Sequence, residues 1–518
     1  MIRQDRSGLE RALLPSALAL FVALGLLGIL HHEMWRDEAE IWLIARDSGS
    51  LRDLFHNMRA EGHPALWYLL VYAVSRLSSD PISMQLLHLA IACGSAGLIL
   101  RCAPFSVRNR LLLCFGYYLL YEYTVISRSY GLGLLFAFAF CALYPRRETR
   151  LPWMALVLFL MANTSLYGAI LAAHLALLLG LEAWIAKGRV HYRHRAQVAL
   201  CGLVVAIGIA AGLGQIAIQG MALGPSHAGS SYHPTRDLEW AVRAVSTFQG
   251  GYLPLPDFRS VSSWNSNLLD DALPPGLAMG VRSALVVLLF AWSVWLLAAR
   301  RSVLAVFCLA TLAMLCVSGL VWYGAARHHG HYFLLFVICC WLHHHVRDGG
   351  EDRRLAMREH FLTALLAAQL LAGAFSFVTD LRRPFSNGPA VGRLLQQEAY
   401  ADRVLVGGRD YATESVAAYV SRPIFHTESD RFETFVDWTA SRRMTQPIDV
   451  LNAARALAEQ RGEPVLMILS IGPAAFEAAW PTLQSPDVYM RLAAGFDGAI
   501  VGDENFVVVW VERMGKAR

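Results

Sequence analysis

Long apolar runs separated by short polar breaks fill the chain as far as residue 380, after which the pattern changes abruptly. The runs at 13–30, 196–217, 280–297, 303–321 and 361–377 each approach or exceed the ~18–20 apolar residues that a bilayer-spanning helix needs. Together with shorter runs between them they predict about eleven spans, at 12–30, 83–100, 111–126, 129–144, 152–163, 167–186, 196–218, 278–298, 303–322, 332–346 and 361–379. The apolar segment 64–74 does not belong to this series, because about a dozen residues at ~1.5 Å each cannot cross ~30 Å of hydrocarbon. It is expected as a juxtamembrane or re-entrant helix.

Beyond residue 380 the apolar runs shorten to strand length, at 404–406, 465–469 and 506–511, and alternate with helical patterns at 414–420, 449–459 and 474–480. Such alternation predicts a small α/β layer fold. Gly407 and Gly408 follow the first of these strands, but no phosphate-binding fingerprint completes the pair. The chain therefore divides into a polytopic α-helical membrane domain, 1–380, and an α/β domain, 381–518.

Composition sharpens the membrane reading. Of 518 residues, 56% are hydrophobic and 16% charged, with a mean hydropathy of +0.41, which excludes an ordinary soluble enzyme or a nucleic-acid-binding protein. The net charge of +5 matters less than where the arginines lie. They concentrate in the first eleven residues and at 101–110, 146–150, 187–195, 300–301 and 347–358, breaks expected on the cytoplasmic side. The N-terminus reads as cytoplasmic and not as a removable signal peptide. Alternate breaks then face outward: the first outer loop at 31–82, turns near 121–130, 163–167 and 322–332, and a long Gly-, Ser- and Pro-rich loop at 219–277, read as a lid or gate. An odd number of spans puts the 381–518 domain outside. All nine cysteines lie between Cys93 and Cys340 and imply no disulfide framework.

Every notable polar cluster of the membrane half falls on that outer side. Asp37 and Glu38 open the first outer loop. As helical neighbours they would point about 100° apart, so one can act as a base while the other orients the loop or a metal; equally, one can cap the helix that follows. His63 precedes a proline, and Arg128 and Tyr130 share a short polar turn, as Tyr167 does with Asn163 and Thr164. A late turn carries Arg327, His328 and His331. His63 and the late-turn residues, with Arg128, are of the types that bind a phosphate, and lipid-headgroup anchoring is the alternative for each. His31, His32, Glu33 and Asp37 are metal-ligand types without the spacing of a recognisable zinc or calcium motif, which leaves metal dependence open.

In order along the chain, W-R-D-E-A, E-G-H-P-A-L-W-Y, Y-E-Y-T-V-I-S-R-S-Y-G-L and N-T-S-L-Y-G resemble the integral-membrane GT-C glycosyltransferases. The similarity is to the branch of protein O-mannosyltransferases, the lipid A aminoarabinose transferase and related bacterial polyprenyl-phosphate-sugar transferases. It covers roughly 12–346 and is densest over 35–186. The resemblance implies a GT-C-like fold in a bacterial inner membrane and an inverting transfer from a polyprenyl-phosphate-linked sugar to an envelope glycan, lipid or protein, with no required cofactor. It places the catalytic base at Asp37 and a lipid-phosphate ligand at His63, and matches Arg128 and Tyr130 to an outer-loop element near the active site. Arg327 to Tyr332 resembles a late arginine-containing turn less closely. His63-Pro64-Ala65 stands where many relatives have two prolines. Two rival classes remain: a transporter or flippase of an anionic lipid-linked substrate, and a scaffold or sensor acting through its exported domain.

Overall fold

The computed structural model describes residues 8–185, 195–222, 238–345, 354–420, 422–439 and 442–514. The first ten helices are α1 (Gly8–His31), α2 (Arg36–Asp47), α3 (Leu51–Asn57), α4 (Leu66–Ser75), α5 (Ile82–Cys102), α6 (Val107–Phe115), α7 (Ser129–Leu143), α8 (Arg147–Ala162), α9 (Leu166–Ile185) and α10 (Arg195–Ala222). Local sequence sets several of their ends. Ser50 and Ser106 cap α3 and α6 by accepting the N–H of Asp53 and Asn109.

Seven described helices are long and apolar enough to cross a membrane: α1, α5, α9 and α10, with Pro275–Leu297, Arg301–Leu320 and Leu355–Arg382. The remaining four expected spans also have helices at their places, shorter or more polar than these seven. The 111–126 run is split into α6 and a π-helical segment, Tyr117–Val125. Helices α7 and α8 have 15 and 16 residues, the latter kinked at Arg150. Ala326–His345 is long enough but carries polar residues and is buried along almost its whole length, so it runs through protein and not lipid. As expected, the short apolar segment forms a helix of 10 residues, α4. Part of the long outer loop, 223–237, lies outside the described residues; its amphipathic piece is the helix Leu238–Tyr252.

The π-helical segment is the centre of the bundle. All nine of its residues are buried, and the Thr124 side-chain hydroxyl donates to the carbonyl of Leu119 at 2.5 Å. Gly373 makes room for it: a Cβ there would lie 2.9 Å from both Cα and N of Tyr117, backbone atoms that cannot rotate away.

The C-terminal part is a mixed six-stranded sheet in the order β3-β2-β1-β4-β6-β5. The strands are β1 (Leu405–Gly407), β2 (Ile424–His426), β3 (Arg431–Glu433), β4 (Val465–Leu469), β5 (Val488–Phe496) and β6 (Phe506–Arg513). β1 pairs in parallel with β2 and β4, and the other pairings are antiparallel. The pleat sends alternate residues to two cores. Val465, Met467, Val507 and Val509 face the helix Pro447–Arg461, which starts with a Gln446/Asp449 capping box and ends at Gly462 with φ 69°. Leu466, Ile468, Phe506 and Val508 instead share a core with Ile41, Trp42 and Leu43 of α2 and Trp67 of α4. The helix Asp410–Val420, part of the same core, packs on α2 and so joins the sheet to the segment that follows α1.

Gly373→Val is expected to destabilise the detergent-solubilised protein by about 1–3 kcal/mol, as overpacking does in a filled core. An unchanged thermal-unfolding midpoint would show that the helix and the π-helical segment are not pressed together there.

Candidate active site

Asp37 lies in the first turn of α2, directly after the membrane helix α1. It does not cap the helix: the N-cap is Trp35, and no side-chain capping bond is made. Its carboxylate instead pairs with Arg327 at 2.9 Å and Arg128 at 3.6 Å, with Arg36 at 4.0 Å. Burial raises the Asp37 pKa, but Arg128, Arg327 and Arg36 outweigh it and hold the carboxyl below its ordinary range. The group is an anion.

Arg128 precedes α7 and also donates to the Asp37 backbone carbonyl and, at 3.3 Å, to His63 Nε2. Arg327 opens the helix Ala326–His345 and rests against the rings of Trp35 and Trp264, 5.2 and 5.7 Å away. Arg36 has partners of its own in Asp503, at 2.6 Å, and Glu504. Arg128 and Arg327 therefore share a single carboxylate, and the Nε of each is buried without an acceptor. Two guanidinium groups set against one carboxylate leave positive charge and directed N–H donors for an incoming anion.

Glu38 points away from Asp37 and is fully buried. One oxygen accepts the N–H of Ser127 at 2.5 Å, and the other meets His32 Nε2 at 2.9 Å, whose Nδ1 meets Asp380 at 2.9 Å. Burial lowers the His32 pKa, but Asp380 and Glu38 raise it further, so an imidazolium joins the two carboxylates. The chain of contacts fixes the turn that presents Arg128. His31, His32, Glu33 and Asp37 do not converge on a metal: His31 bonds the Leu27 carbonyl and Glu33 accepts the N–H of Phe385.

The backbone of His63 is clamped by Gln219 of α10, which accepts its N–H at 2.9 Å and donates to its carbonyl at 3.0 Å. Burial, reinforced by Arg128, pushes the imidazole pKa down to about 3. The ring is neutral, and the arginines carry the charge of the site. Tyr130, Tyr167, His328 and His331 form the wall behind. His328 accepts the Ala325 N–H at Nδ1, so its neutral ring carries the proton on Nε2 and donates it to the Tyr130 hydroxyl at 2.7 Å. Tyr167 stacks on His331 with centroids 4.7 Å apart. These four pack among themselves and make no direct contact with Asp37.

Several residues of the site escaped the sequence reading. Glu40, three positions after Asp37 and on the same helical face, accepts the Trp438 indole N–H at 2.5 Å. Glu61, within the E-G-H-P motif, accepts the Tyr68 hydroxyl at 3.0 Å. Glu414 accepts the Val436 N–H, and Arg59 reaches Asp437 at 2.7 Å. Trp264, from the long outer loop, bonds Glu122 at 3.1 Å and packs edge-on to Trp35. The helical spacing of Asp37 and Glu40 was a usable signal. Nothing in the sequence marked Trp264 or Trp438.

No protein-family model matches the chain, and no curated protein does. Among solved structures it is similar to ArnT from Cupriavidus metallidurans bound to undecaprenyl phosphate, at 12% identity and a TM-score of 0.47 over 95% of this chain and 97% of that one. It is similar to the same protein in the apo state at 11% identity and a TM-score of 0.48, over 96% and 98%.

Burial raises the Glu40 pKa from the usual 4.5 to about 7, against the hydrogen bond from Trp438. Between those values the folded chain binds more protons than the unfolded one, so stability falls as pH rises through the window. Glu40→Gln keeps an acceptor for Trp438 and removes the titration. It is expected to flatten part of the decline in unfolding midpoint between about pH 5 and 8; a decline as steep as that of the parent protein would mean that Glu40 does not titrate there.

Proposed function

We propose that the chain is an inverting glycosyltransferase that moves a sugar from a polyprenyl-monophosphate carrier to an envelope acceptor at the outer face of a bacterial inner membrane. The observation that supports this most is the pair of guanidinium groups on Asp37, each with a buried Nε that has no acceptor. They fit a phosphate at the rim of a membrane bundle, and Asp37 between them fits a base. The motif order from residue 35 to 186 supports the same reading.

In the proposed step the acceptor hydroxyl gives its proton to Asp37 while its oxygen attacks the anomeric carbon. The bond from that carbon to the carrier phosphate breaks, and the leaving phosphate takes the electron pair. A single in-line displacement inverts the anomeric configuration. Arg128 and Arg327 stabilise the charge that develops on the phosphate, which is usually a large part of such catalysis. The same arginines explain how an acid with a depressed pKa serves as a base. As the phosphate draws them away, Asp37 loses its counter-charges and its affinity for a proton rises. His63, neutral and bonded to Arg128, orients that guanidinium. Glu38 acts as a positioning residue through the Ser127 turn. Protein, lipid A, core oligosaccharide and cell-wall glycan all suit this chemistry as acceptors.

Purified protein is to be assayed for transfer from labelled polyprenyl-phosphate sugars to an envelope extract. Asp37→Asn keeps size and removes the base, and is expected to lower turnover by about 10²–10⁴-fold. Arg327→Gln is expected to cost about 10²–10³-fold. Undiminished turnover by a well-expressed Asp37→Asn protein contradicts the assignment. Movement of a lipid-linked anion across liposomes without a new glycosidic bond would establish the transporter instead.

A further inference from the structure

A second polar cluster lies in the C-terminal domain and takes no part in the chemistry above. Asp410 begins the helix Asp410–Val420, His426 ends β2, and Glu428 follows in the next turn. All three are at least nine-tenths buried, and one ligating atom from each lies within 4.8 Å of the others. His426 is 1% exposed, and neither ring nitrogen makes a hydrogen bond of ordinary geometry. The Glu433 backbone offers the ring only a looser contact, and a buried imidazole so weakly held is unfavourable unless something binds it.

The two carboxylates each keep an open lone pair. Asp410 Oδ1 accepts from Tyr411 N and Arg442, whereas Oδ2 has Arg442 Nε alone, at 2.8 Å. Glu428 Oε1 accepts from Arg409 N and Thr445, whereas Oε2 has a long contact of 3.4 Å to the Thr427 hydroxyl. Burial pushes His426 down to about 4 against the pull of Asp410, so the ring is neutral and its lone pair free near pH 7.

We propose that Asp410, His426 and Glu428 form a site for one divalent transition-metal ion of the Zn²⁺ or Mn²⁺ type. One imidazole with two carboxylates suits such ions. Ligand bonds of ~2.0–2.2 Å need the three atoms slightly closer together than their widest present spacing. Arg442 then serves as the outer hydrogen-bonding partner of the Asp410 carboxylate. The same arginine lies 4.3 Å over the ring of Trp438, whose indole bonds Glu40 one turn from Asp37. The ion therefore fixes the part of the C-terminal domain that closes over the first outer loop. This inference is independent of the glycosyl-transfer reading.

The test uses the full chain in detergent, stripped with a chelator and titrated with Zn²⁺ and, separately, Mn²⁺, with bound metal counted by mass spectrometry and thermal unfolding followed in parallel. One tight equivalent and a raised unfolding midpoint are expected for the parent protein. Glu428→Gln, which preserves shape, and His426→Ala are expected to weaken binding by at least about tenfold and to abolish the metal-dependent rise. The triple histidine at 343–345 offers a competing location. An equivalent retained at full affinity by both variants, or no uptake by the parent protein, overturns the proposal.

Discussion

Two arginines bound to one carboxylate are the constraint on which the rest of this molecule depends. Guanidinium groups buried at the rim of a membrane bundle are costly unless compensated, and Asp37 compensates only part of the charge of Arg128 and Arg327. The remaining structure holds them in place. Glu38, His32 and Asp380 lock the turn before Arg128; Trp35 and Trp264 flank Arg327; and Gln219 pins the backbone that carries His63. An arrangement that keeps two cations together with spare donors is preorganised for an anion.

The C-terminal domain belongs to the same construction. Leu466, Ile468 and Phe506 on one face of its sheet share a core with the helix Asp410–Val420, which packs on α2, so the helix that carries Asp37 is tied to the domain through that core. Polar ties reinforce the contact: Arg36 to Asp503, Arg59 to Asp437, and Glu40 to Trp438. Glu40, Glu61 and Glu414 are gathered in this seam, where burial favours their protonated forms. A domain joined through such a seam is coupled to pH in a way that a tethered module would not be.

Much of the fold was legible in the sequence. A membrane helix must satisfy its backbone internally and present a continuous apolar run, both local properties, so each expected span has a helix at or near its place. The errors came where neighbours replaced lipid. The 111–126 run is buried in protein and is free to adopt π-helical geometry, while Ala326–His345 carries Arg327 and six histidines and is buried along most of its length. In the sheet, β4 and β6 were visible as buried valine-rich runs, but β2, β3 and β5 are short or half exposed and lack a strong alternating signal.

For the site, the sequence by itself determined the inventory: an acid pair after the first helix, a histidine before a proline, and arginines in two polar turns, all between apolar runs. Only the tertiary structure decided which of them meet. Arg327 reaches Asp37 across 290 positions, and His32 reaches Asp380 across 348. It also separated the acids, giving Asp37 to the arginines and Glu38 to the interior, and it brought in Trp264 and Trp438 from loops with no motif. The physical reason is that helix formation depends on neighbours a few residues away, whereas the partners of a buried charge are set by the path of the whole backbone.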